Sequence, residues 1–117
     1  MPREFLFVYG TLRSEFDNPF ARRLRAEARL VGRATVVGSI FRVADYPGFW
    51  PEPAGEVHGE VYRLSSPATL QALDEYEGPE YERVGTTVST GESVWIYRFE
   101  RQPPPALRIA SGDFCAP

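Results

Sequence analysis

The sequence predicts an α+β fold: a small mixed, mostly antiparallel β-barrel-like sheet with flanking helices. Three observations point there. Apolar stretches of strand length recur at FLFV, along residues 30–43, at GEVHGEVYRL and in the pair YERVGTTVS and ESVWIYRFE. Only two segments carry a helical repeat with cap signals. The resulting order of strand, helix, several strands, helix and hairpin lacks the regular alternation of a parallel α/β sheet. A chain of 117 residues fits one domain, residues 1–117, burying roughly two thirds of its unfolded surface.

FLFV at 5–8 reads as a buried strand that feeds directly into YGTL, a glycine-containing loop. Asn18 then offers a cap and Pro19 a first helical turn. Phe20, Leu24 and Ala28 repeat every four residues, so a helix is expected over about 19–29. Arg22, Arg23, Arg25 and Arg29 lie mostly off that stripe, as a solvated face or as an anion-binding patch. Residues 30–43 are β-rich, broken by Gly32 and Gly38, and ADYPGFWPEPAG supplies enough proline and glycine for an irregular loop. Its aromatics, Tyr46, Phe49 and Trp50, either wall a pocket or pack onto their own domain. In GEVHGEVYRL, Val57, Gly59 and Val61 share one face, and His58, Glu60 and Tyr62 the other, so a strand with one polar or wet side is expected. Ser66 and Pro67 open a second helix and Gly78 closes it. Thr90 and Gly91 turn a hairpin between the last two strands. Pro103, Pro104 and Pro105 end the regular structure, and the tail LRIASGDF keeps enough apolar character to dock.

Composition excludes several classes. The balance of 13 arginines and no lysine against 16 acids, net −3, is not that of a general nucleic-acid binder. No apolar run reaches membrane-spanning length, and the opening MPREFLFVYG lacks a signal-like cleavage region, so a cytoplasmic location and no membrane partner are expected. Cys115 and His58, the single cysteine and single histidine, provide neither a disulfide nor a metal set, and no cofactor is expected. GxSxG, P-loop, GxGxxG, HExxH and paired CxxC motifs are absent. Oligomeric state is left open.

LDEYEG at 73–78 concentrates three carboxylates just before a glycine. On a helix that advances about 100° per residue, with Leu70 at zero, Glu77 falls at about −20°, Asp74 at about +40° and Glu75 at about +140°. Helical phase therefore turns Glu77 inward and Glu75 away. Burial, the helix dipole and the neighbouring acids Asp74, Glu75, Glu80 and Glu82 are expected to favour its protonated form. The same cluster is also compatible with a solvated helix end. Gly10 and Thr11, immediately after a strand, are positioned to present backbone N–H groups to an anion as a nest.

Taken together, FLFVYGTLR, YPG at 46–48, GEVYRL at 59–64, LDEYEG with YER at 81–83, WIYRF at 95–99 and SGDF at 111–114 resemble the gamma-glutamylcyclotransferase-like family over nearly the whole chain. The resemblance implies the family's small mixed barrel and a small-molecule gamma-glutamyl substrate. It implies a substrate loop of Tyr9, Gly10, Thr11 and Leu12, Glu77 as general acid/base, and Tyr97 near the pocket. The YGTL form is similar to the branch that acts on gamma-glutamyl amines, whereas YGSN marks the branch acting on gamma-glutamyl dipeptides. Phe114 stands where many relatives carry tryptophan. The implied reaction is attack of the substrate's own α-amine on its γ-carbonyl, releasing 5-oxoproline and a free amine. The alternative is a non-catalytic binding or regulatory module with the same pocket.

Overall fold

A computed structural model describes residues 4–116. Met1, Pro2 and Arg3, part of the stretch read above for a targeting signal, lie outside the described residues, as does Pro117. No helix among the described residues is long and apolar enough to cross a membrane.

The strands are β1 (Phe5–Val8), β2 (Ala28–Val37), β3 (Ser39–Arg42), β4 (Pro47–Trp50), β5 (Glu56–Leu64), β6 (Tyr81–Thr87) and β7 (Ser93–Phe99), and the helices are α1 (Pro19–Glu27) and α2 (Pro67–Glu77). They form a mixed α+β fold on one sheet ordered β2-β5-β1-β7-β4-β3, with β6 also pairing to β7. Most pairings are antiparallel; β1 and β4 run parallel to β7. The sheet curls until its ends meet. Just past β6, the Ser89 N–H donates to the Thr35 carbonyl at 2.9 Å, and the Thr35 N–H donates to Ser89 Oγ at 3.0 Å.

Curling gives the sheet two buried faces. Phe7, Val36, Ile40, Phe49, Val57, Val61, Val94 and Ile96 fill its inside. Leu6, Val8, Tyr62, Leu64 and Tyr97 face the helices, where Leu24 of α1 and Leu73 of α2 meet them. β1 is therefore covered on both sides, which is why FLFV is uniformly apolar and does not alternate.

The local expectations hold for the caps, the hairpin and the tail. Asn18 Oδ1 accepts the Ala21 N–H at 2.8 Å, and Ser66 Oγ accepts the Ala68 N–H at 3.1 Å. Gly78 ends α2 at φ 73°. The tail docks through buried Ile109 and Phe114. The arginines of α1 form a solvated face, Arg22 pairing with Asp17 and Arg23 with Glu27.

Four expectations need correction. α1 stops at Glu27, and Ala28 already belongs to β2, because the Ala28 backbone turns extended and pairs with Leu64. Residues 44–55 are not wholly irregular: they contain β4, antiparallel to β3 and bridged to β7 at Phe49 and Arg98. Pro47 is tolerated because it opens the strand, where a missing N–H costs little. The polar side of β5 is wet only at its start, at Glu56 and His58. Glu60 and Tyr62 are buried, since the loop after β1 and the helices cover that face, and Glu60 accepts both the Ser14 N–H (2.6 Å) and the Ser14 hydroxyl (2.5 Å). Finally, a short 3-10 turn (Pro105–Leu107) and a bridge from Arg108 to Phe41 follow the prolines, so regular structure extends past Pro103.

Candidate active site

A cleft of about 470 Å³ opens where the loop after β1, the C-terminal end of α2 and the start of β4 meet. Tyr9, Gly10, Thr11, Leu12, Glu77 and Tyr97, the six residues singled out from the sequence, all line it. The structure adds Asn18, Asp45, Tyr46, Tyr76, Glu80 and Tyr81.

Glu77 is the last residue of α2. Helical phase puts it on the side of buried Leu73, while Glu75 is exposed. Its carboxyl is largely buried, no hydrogen bond to it is formed among the described residues, and burial pushes its pKa up to about 7. The cause is narrower than expected, for desolvation alone raises it. Asp74 adds no repulsion that registers at Glu77, because Asp74 is itself engaged: Arg83 Nε donates to Oδ1 at 2.9 Å, Arg83 Nη2 to Oδ2 at 3.1 Å and the Tyr97 hydroxyl to Oδ1 at 2.7 Å. These partners hold the Asp74 carboxyl below its ordinary range against the opposing effect of burial. Two acids three residues apart are thus pushed in opposite directions, a pattern typical of sites that move protons.

Five of the chain's six tyrosines surround Glu77 on the cleft wall. Each is tied down differently. The Tyr9 hydroxyl donates to the Tyr97 carbonyl at 2.6 Å and accepts the Phe49 N–H at 3.0 Å, fastening β1 to β4 and β7. Its hydroxyl is therefore spent within the protein, and only its ring is offered to the cleft. Tyr81 donates to the Pro47 carbonyl at 2.7 Å, and Tyr46 to Glu80 Oε1 at 3.0 Å. Tyr76 is half-exposed and packs against Phe20 with the rings tilted by 32° and centroids 4.4 Å apart. Burial raises the Tyr81 and Tyr97 hydroxyls far above their ordinary pKa, so they stay protonated and act as donors. Tyr9→Phe is expected to cost about 1–3 kcal/mol in denaturant melts, since the buried Phe49 N–H loses its acceptor.

The loop itself is a turn closed by the Arg13 N–H on the Gly10 carbonyl at 3.1 Å, followed by the Phe16 N–H on the Arg13 carbonyl at 3.0 Å. These bonds leave the Thr11 and Leu12 N–H groups outside the turn's own pairing. Gly10 is not in the left-handed region, so its backbone angle does not itself require glycine. The glycine is needed for space: a Cβ there would lie 2.7 Å from Pro47 Cγ. Asn18 braces the loop, its Nδ2 donating to the Thr11 carbonyl at 2.8 Å. Behind it the buried Arg13 holds Glu15 (2.7 Å) and Asp113 (2.8 Å), joining loop to tail.

Sequence reasoning missed Asn18, Asp45, Tyr76 and Tyr81 at the cleft, and the engagement of Asp74. Asn18 showed only its capping signal, and Asp74 showed only a helix-flank position; their partners belong to other elements, Thr11 of the loop after β1 for Asn18, and Arg83 of β6 and Tyr97 of β7 for Asp74. The aromatic loop divides between the two uses considered for it, Tyr46 walling the cleft and Phe49 entering the core. Among the described residues no group of three or more His, Cys, Asp or Glu side chains is arranged to hold a metal ion.

Residues 6–116 match a family model described as gamma-glutamyl cyclotransferase, AIG2-like. No curated protein matches the chain. Among solved structures, the solution structure of ytfP from Escherichia coli is 33% identical, with 96% of each chain covered and a TM-score of 0.72. Uncharacterized protein PH0828 from Pyrococcus horikoshii is 26% identical, with 94% of this chain and 88% of that one covered and a TM-score of 0.77. An AIG2-like protein from Mus musculus shares the fold at 22% identity and a TM-score of 0.70, covering 89% of this chain and 82% of its own.

Proposed function

Since the chain belongs to the gamma-glutamyl cyclotransferase, AIG2-like family, we propose that it converts a gamma-glutamyl amine to 5-oxoproline and a free amine, with Glu77 as the proton shuttle. Family membership supports a cyclotransferase-type activity. The observation that carries the finer reading is Glu77 itself, a largely buried carboxyl with no hydrogen bond among the described residues and a pKa of about 7, in the same cleft as the YGTL loop.

The reaction needs no enzyme nucleophile. The substrate's α-nitrogen attacks its own γ-carbonyl carbon, a C–N bond closes the five-membered ring, and the bond to the departing amine breaks. One proton leaves the attacking nitrogen and one reaches the departing nitrogen, so a single carboxyl can accept the first and return it. Proton transfer of this kind contributes about 10² to 10⁴-fold. Holding the chain folded for ring closure contributes on the order of 7 to 11 kcal/mol in the best intramolecular cases. The Thr11 and Leu12 N–H groups supply donors for the α-carboxylate or for the oxyanion that forms on the γ-carbonyl.

The test is 5-oxoproline release, followed by mass spectrometry, from a panel of gamma-glutamyl amines and gamma-glutamyl dipeptides. Release from amines by the wild type is the expected result. Folded protein that binds glutamate or 5-oxoproline but consumes no member of the panel would replace this reading with a binding module. Glu75→Gln is expected to retain wild-type turnover within about twofold, because an exposed side chain pointing off the cleft makes no transition-state contact.

A further inference from the structure

We propose that the mouth of the cleft selects a departing amine that carries a second positive charge and no carboxylate, with Asp45 and Glu80 as the residues that read it. The inference rests on the cyclotransferase reading of the cleft and names its substrate class.

Three carboxylates, Asp45, Glu77 and Glu80, line the cleft, and among the described residues no arginine or histidine does, in a chain with 13 arginines and one histidine. This is a local exception. Among the described residues arginines pair with nine acids elsewhere, yet none of these three carboxylates enters an ion pair. Glu80 is held toward the cleft by the Tyr46 hydroxyl at 3.0 Å, and Asp45 adjoins that tyrosine in sequence. Around them stand aromatic faces: Tyr46 and Tyr81 with centroids 6.2 Å apart, and the half-exposed Tyr76. Unpaired carboxylates beside aromatic faces attract an ammonium group twice, by charge and by ring quadrupole.

The gamma-glutamyl half of the substrate brings one carboxylate, for which the loop N–H groups are available. An amino acid as departing group brings a second, and among the described residues no cationic side chain lines the cleft to meet it. It would face Asp45 and Glu80 directly, an unfavourable like-charge approach. A diamine brings the opposite charge to the same place.

The experiment uses three gamma-glutamyl amides of similar length, built on 1,4-diaminobutane (cationic end), n-pentylamine (neutral) and 4-aminobutanoate (anionic end). Wild-type kcat/KM for 5-oxoproline release is expected to fall in that order, with about tenfold or more between the first and last. Asp45→Asn with Glu80→Gln keeps shape and the acceptor for Tyr46, and is expected to bring the cation-to-anion ratio near one. The wild-type ratio should also shrink as salt is raised. Equal turnover of the three by wild type, an anionic preference, or an unchanged ratio in the folded double variant overturns the proposal. If no amide is turned over, the cyclotransferase reading fails separately. Binding of the same three compounds to wild type then decides the charge preference: a cationic order supports it, and equal or absent binding overturns it.

Discussion

Glu77→Gln is expected to lower 5-oxoproline release by about 10²-fold or more while making the protein more resistant to denaturant above neutral pH. The two effects share one cause. The cleft desolvates the carboxyl, so it keeps its proton up to about pH 7 in the folded protein, whereas in the unfolded chain it ionises near the ordinary glutamate value of about 4.3. Between those values the folded state binds one proton more than the unfolded state. Stability therefore falls as pH rises from about 4.3 to about 7 and stays lowered beyond, by on the order of 3 kcal/mol. Glutamine has no charge to desolvate and shows no such slope. Urea melts of both proteins at pH 4 and pH 8 isolate the contribution, because other groups titrate alike in each. The variant should gain on the wild type from pH 4 to pH 8. An identical pH dependence would mean that Glu77 ionises as an ordinary surface glutamate, and retained turnover would remove it as the proton carrier.

The inward position of Glu77 was legible because a helix enforces a fixed angle per residue, so the phase set by Leu70 and Leu73 fixes where position 77 points. Caps and the hairpin were legible for the same local reason. What stayed hidden depends on pairing at long range. The segment around Pro47 and Gly48 has the composition of a turn, yet it forms β4 because β3 and β7 supply partners. Glu60 alternates onto the polar side of β5, but the loop after β1 closes over it and Ser14 satisfies it. The raised pKa of Glu77 was anticipated in direction, with a cause that proved too broad. Burial is the cause of its rise, while the nearest acid in sequence on that side, Asp74, is already bound by Arg83 and Tyr97. The need for glycine at position 10 was not legible, because it comes from the ring of Pro47, more than thirty residues away.

Gly112→Ala is expected to lower stability by about 3 kcal/mol or more, and the thermal midpoint by about 10 °C. Gly112 sits in the SGDF stretch, at φ +70°, where its carbonyl accepts the His58 N–H at 2.8 Å. A Cβ at that position would lie 1.8 Å from the Glu56 carbonyl oxygen. Glu56 is backbone of β5, paired with Val37 of β2, so it cannot move aside as a flexible side chain would. The tail has to lift instead. Ile109 and Phe114 then lose burial, and the buried Arg13 loses Asp113, one of the two acids that neutralise it. Because Arg13 closes the turn that carries Gly10, Thr11 and Leu12, the loop loosens too, and 5-oxoproline release is expected to fall although Gly112 does not line the cleft. Two comparisons separate steric exclusion from backbone preference and from charge. Asparagine tolerates positive φ better than alanine does, so a rescued Gly112→Asn would show that backbone angle alone sets the requirement, whereas contact with Glu56 predicts that both variants fail alike. Asp113→Asn keeps an acceptor for Arg13 and removes only the charge, and should cost about 1 to 2 kcal/mol. A loss from Asp113→Asn as large as that from Gly112→Ala would mean that the ion pair, and not the close approach to β5, holds the tail in place.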